Sequence, residues 1–106
     1  MERYRALLSH LRDAVLSGPG TLDPEVRSAA AGGGGEVPLA LHSYVNKVTQ
    51  EAYKVTDRDV EELLAAGYSE DQVFELTVSA ALGAGLCRFE AATRALEQDR
   101  LRREGD

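Results

Sequence analysis

The chain has 106 residues, a net charge of −6, one cysteine and no tryptophan. That length fits one domain, and the acidic balance with scattered Lys and Arg argues against a nucleic-acid partner, which needs clustered cations. One cysteine excludes an internal disulfide and a multi-cysteine zinc site.

Residues 2–17 carry Tyr4, Leu7, Leu8, Leu11 and Val15 at helical spacing, which predicts an amphipathic helix with these residues on its buried face. The same segment is charged throughout and has no apolar core of the kind that a secretory signal needs. Ser17-Gly18-Pro19-Gly20 ends the helix. Asp23-Pro24-Glu25 starts a short second one: Asp can cap, Pro suits the first turn and Glu complements the dipole. Gly32–Gly35 reads as a flexible hinge, because four glycines cost much backbone entropy to order. No GK[ST] follows them, so a phosphate-binding loop is not indicated.

Pro38 opens a third helix, with Leu41, Tyr44, Val45, Val48 and Ala52 on its apolar face, running to about Tyr53. Thr56-Asp57-Arg58-Asp59 starts a fourth, which buries Val60, Leu63 and Leu64. Gly67 suits the left-handed position after its end. Ser69 and Gln72 form a capping box for a final helix that can run from Glu70 to about Arg103. From Leu76 to Cys87 this helix has no charged side chain, and that run is too short to span a bilayer, which needs about 20 residues. The helix is apolar nearly all round, so it is central or lies at an interface. Gly83 and Gly85 each cost about 1 kcal/mol against Ala in a helix, and close packing is the simplest compensation. Ser79, Ala80, Gly83, Ala84 and Gly85 are therefore the expected contact with a second copy. No segment has strand periodicity. The expected fold is all-α, about five helices with a long C-terminal one, organised as N-terminal helices (1–31), a Gly-rich hinge (32–36) and a core (37–103).

The stretch Ala66-Gly67-Tyr68-Ser69-Glu70-Asp71-Gln72-Val73-Phe74-Glu75-Leu76, followed by the small-residue run Ser79–Leu86, resembles the carboxymuconolactone decarboxylase and AhpD-like family. The resemblance spans roughly Val37–Leu96 and implies an AhpD-like, bacterial-type helical domain. The family's peroxidases use a C-x-x-C pair with a Glu and a His, in which one thiolate attacks, the second resolves, and Glu and His move protons. With Cys87 as the second cysteine, Ala84 and Ala91 replace the first Cys and the His. With Cys87 as the first, Glu75 falls near the Glu position, but Glu90 and Arg94 replace the resolving Cys and the His. Neither register leaves a dithiol. The decarboxylases do without the pair, so its absence does not sever the relationship.

Cys87 has two readings: a small core thiol among Leu86 and Phe89, or a thiolate helped by Arg88 with Glu75 or Glu90 as relay, against which nearby carboxylates raise a thiol pKa. The first is the expectation. His42 lies beside the apolar face of its helix, where Tyr44, Tyr53 and Tyr68 could gather, and it reads either as a structural histidine or as a proton-transfer group at a pocket mouth. His10 is isolated. No metal motif is present, and no cofactor is implied. Two functions follow: a non-catalytic, homo-oligomeric assembly protein of the cytoplasm, or a small-molecule enzyme of the decarboxylase or peroxidase type using Cys87 or His42. Neither specifies a small-molecule ligand.

Overall fold

A computed structural model describes residues 2–105, with side chains from Tyr4 onward. The described residues are helical, with no strand: α1 (Glu2–Ser17), α2 (Pro24–Ala30), α3 (His42–Gln50), α4 (Asp57–Ala65) and α5 (Glu70–Gly105), plus 3-10 turns at Leu39–Leu41 and Ala52–Lys54. The molecule measures 59 × 29 × 21 Å. Its long dimension is set by α5, whose 36 residues span about 54 Å.

The boundaries follow from local chemistry. The Asp23 carboxylate accepts from the Glu25 N–H at 2.9 Å and caps α2, with Pro24 at the first helical position. Thr56 N–H donates to Asp59 at 2.9 Å at the start of α4. Gly67, at φ 105°, turns the chain out of α4. Ser69 and Gln72 bond reciprocally at 2.9 and 3.1 Å and open α5. Turns and bends occupy the Gly32–Gly35 segment. Gly33 N–H donates to Ser28 O at 2.8 Å, and Gly32, Gly34 and Gly35 take left-handed φ values that other residues avoid.

One core lies where α2, α3 and α4 meet the first half of α5. Leu22, Leu41, Tyr44, Val48, Leu63, Val73, Leu76 and Ala80 form its centre. Polar links fix the helices around it. Tyr44 bonds Thr77 at 2.7 Å across α3 and α5, and Lys47 pairs with Asp59 at 2.7 Å across α3 and α4.

Three expectations need correction. The third helix stops at Gln50, and Ala52 is exposed in the 3-10 turn after it. α1 turns Leu8, Val15 and Leu16 inward while Tyr4, Leu7 and Leu11 face solvent. The cause is non-local: Arg27, only 2% exposed, donates to the carbonyls of Val15 (2.9 Å), Gly18 (2.8 Å) and Leu22 (3.1 Å), and this sets the rotation of α1 about its axis. The third correction concerns the small residues of α5. Ser79 and Ala80 are fully buried inside the chain. A Cβ on Gly83 would meet the Ala31 carbonyl oxygen at 2.3 Å, so Gly83 serves the contact with the end of α2, not with a second copy. Gly85 is exposed, with open space where a Cβ would stand.

Candidate functional site

α5 is contacted on three sides. α2 lies against Gly83. α3 joins it through Tyr44–Thr77 and through Arg88, which donates to Thr49 O at 2.6 Å. The loop after α1 joins it through Glu75, and α1 then runs antiparallel along the distal half. Two contiguous depressions result. A cleft of about 710 Å³ opens between the ends of α2 and α3 and the middle of α5, with Thr49, Gly83, Cys87, Arg88 and Arg12 on its walls. A groove of about 450 Å³ continues from it between α1 and α5, and Arg12, Leu86 and Glu90 line both.

The residues singled out in the sequence do not converge. Cys87 is exposed at the cleft, contrary to the expectation of a buried thiol. Leu86 and Phe89 flank it in sequence, but Leu86 turns toward α1 and Phe89 toward the groove. Glu75 sits more than three turns away on the same helix, about 18 Å along the axis. His42 is exposed at the first turn of α3 and donates from Nε2 to Val37 O at 2.6 Å. The other end of α3, about 10 Å away along the axis, is the end that borders the cleft. Tyr44 is buried and bonded to Thr77, and Tyr53 is exposed beside Lys54. His10 is exposed on α1. Among the described residues no cluster of three or more His, Cys, Asp or Glu is placed to hold a metal ion. No helix among them is long and apolar enough to cross a membrane.

No family model, curated protein or solved structure matches this chain.

Glu75 has a structural partner. Its carboxylate accepts from the Thr21 N–H at 2.9 Å, the Leu22 N–H at 3.2 Å and the Thr21 hydroxyl. Gly20 makes room, because a Cβ there would fall 1.8 Å from the carboxylate. The Thr21 hydroxyl, then the Thr21 and Leu22 N–H groups and the Arg27 charge, hold the Glu75 carboxyl below the ordinary glutamate range, against an opposing effect of burial. Asp59 is lowered as well, first by its hydrogen bond to Lys47 and then by that to Thr56 N–H. A carboxylate with a depressed folded pKa contributes stability above its unfolded pKa and loses it as pH falls through the folded value. Thermal melts should therefore hold level from pH 7 to 5 and drop once pH passes below about 4.3, the ordinary glutamate value. Glu75→Gln should lower the plateau and flatten the acid limb. An unchanged acid limb in that variant would show that the carboxylate is not coupled to folding.

The free side of α5 is the feature that sequence reasoning placed only in part. Phe74, Val78, Ala81, Gly85, Phe89, Ala92 and Leu96 fall within an arc of about 80° on a regular helix, opposite the core-facing residues. Over about 33 Å no charged residue interrupts this arc. Phe74 is 68% exposed and Leu96 73%, and all the others but the half-buried Val78 are also exposed. Arg27, Thr21 and the outward row Tyr4, Leu7 and Leu11 were missed as well, because each depends on contacts distant in sequence.

Proposed function

We propose that this chain is a non-catalytic, homo-oligomeric assembly protein on an AhpD-like helical scaffold, joined to its copies through the outer face of α5. The uncharged arc from Phe74 to Leu96 carries this reading: seven consecutive outward positions without a charge are unusual on a helix face left to solvent. Antiparallel pairing about Gly85 sets Phe74 against Leu96, Val78 against Ala92 and Ala81 against Phe89. Small residues at the crossing let the helices approach closely. Glu70 then lies opposite Arg100 of the other copy, and the helix dipoles oppose. The scaffold assignment rests on the Ala66–Leu76 turn and its capping box, and an unpaired thiol suits the reducing cytoplasm.

Light scattering at micromolar concentration should give a multiple of the 11.4 kDa chain mass. Phe74→Glu and Leu96→Glu should each bring it to the monomer with helical content kept. A wild-type chain that runs as a clean monomer would sink the proposal. Exposure of Cys87 at the cleft favours a second reading, a one-cysteine enzyme. Hydroperoxide-reducing activity that disappears in Cys87→Ser would establish it over the first.

A further inference from the structure

We propose that the groove between α1 and the distal half of α5 binds a small amphipathic carboxylate, with its charge on Arg12 and its apolar body over Leu8 and Leu86. The groove lies on the flank of α5 that faces α1, and it meets the outer arc of that helix only at Phe89, on its rim. The chain is acidic overall, at −6, yet the groove is lined by Arg5, Arg12 and Arg94 against one carboxylate, Glu90. Lys47, Lys54, Arg58, Arg100 and Arg103 each pair with an acid, and Arg27 and Arg88 with main-chain carbonyls. Arg12, Arg94 and Arg102 have neither kind of partner among the described residues, and the first two face this groove.

Arg12 is the more telling of these two. It is half-buried and stands where the groove meets the cleft. A cation partly removed from water without a partner is costly, and a bound anion offsets that cost. A guanidinium offers a planar fork that matches a carboxylate with two parallel hydrogen bonds. Leu8 on α1 and Leu86 on α5 supply the apolar floor beside it. A volume of about 450 Å³ lies in the range of small-molecule sites, roughly 300–1,000 Å³. An apolar floor with a cation at its end selects neither a neutral hydrocarbon nor a small hydrophilic anion, but a molecule that has both parts.

Isothermal titration with dodecanoate below its micelle concentration should show saturable binding, one molecule per chain. Dodecanol and acetate, each offering one half of the chemistry, should bind at least tenfold more weakly. Arg12→Gln should weaken dodecanoate at least tenfold and Arg94→Gln less. Leu8→Asp, which sets a negative charge into the floor, should abolish binding. Leu96→Glu, on the outer arc of α5 and outside the groove lining, should bind as the wild type does. Absence of saturable binding, equal binding of dodecanol, or loss in Leu96→Glu with retention in a folded Arg12→Gln would each overturn the proposal.

Discussion

Gly83→Ala should destabilise the protein even though alanine is the better helix former. The added Cβ would meet the Ala31 O, Cα and C atoms at 2.3, 2.5 and 2.7 Å. All three are main-chain atoms, so no side-chain rotation relieves the clash, and α2 has to move away from α5. Overpacking of this kind costs about 1–3 kcal/mol, occasionally more, and exceeds the gain of about 1 kcal/mol in helix propensity. For a domain of this size each kcal/mol lowers the melting temperature by about 4–8 °C. Gly85 is the internal control: it lies two residues on, with open space around the missing Cβ. Gly85→Ala should raise stability by up to about 1 kcal/mol. Circular-dichroism melts of the two variants should therefore move in opposite directions. A Gly83→Ala melt at or above the wild-type temperature would show that α2 does not hold α5 as closely as described.

Arg27→Met should be equally damaging. Methionine keeps much of the apolar stem but leaves the carbonyls of Val15, Gly18 and Leu22 without the donors they now have. Hydrogen bonds to a charged group contribute about 1.5–3 kcal/mol each, with losses at one site less than additive. A loss of about 2–4 kcal/mol is expected in chemical denaturation, with α1 the first element to detach. Arg27→Lys should recover only part of it, because an ammonium is a point donor and cannot span three carbonyls as a guanidinium does. A loss under 0.5 kcal/mol in Arg27→Met would mean that water replaces the guanidinium at little cost.

The sequence was most legible where structure is local. Asp23-Pro24, Thr56, Gly67 and Ser69–Gln72 act within one turn of themselves, and the helix ends they predict are the ends observed. Legibility failed where a distant contact decides. The rotation of α1 depends on Arg27, which nothing in its own segment marks as buried. The small residues of α5 carry the right message, close approach, but their spacing alone does not say to what. Gly83 meets α2 of its own chain, while Gly85 faces outward. Cys87 was expected inside because its sequence neighbours are apolar. α5 has by then reached the end of the core, and Cys87 opens on the cleft bordered by the ends of α2 and α3. The candidate site shows the same division: residue types pointed to Cys87, Glu75 and His42, and the chain places them on three separate parts of the surface and gives Glu75 a loop to hold.

The last turns of α5 have a thermodynamic consequence of their own. From Ala95 onward every described residue but Asp99 is exposed. Pairs such as Arg100–Glu97 and Arg103–Asp99 run along the helix itself. Intrahelical ion pairs of this kind contribute only about 0.2–0.5 kcal/mol each, and a helical segment shorter than about 12 residues is marginal in water without packing. Their order therefore depends on mass action. Anything that covers Leu96 supplies the missing burial and stabilises these turns in proportion to its concentration. Under the proposed pairing of copies, the effective length of α5 becomes a variable set by the concentration of the chain.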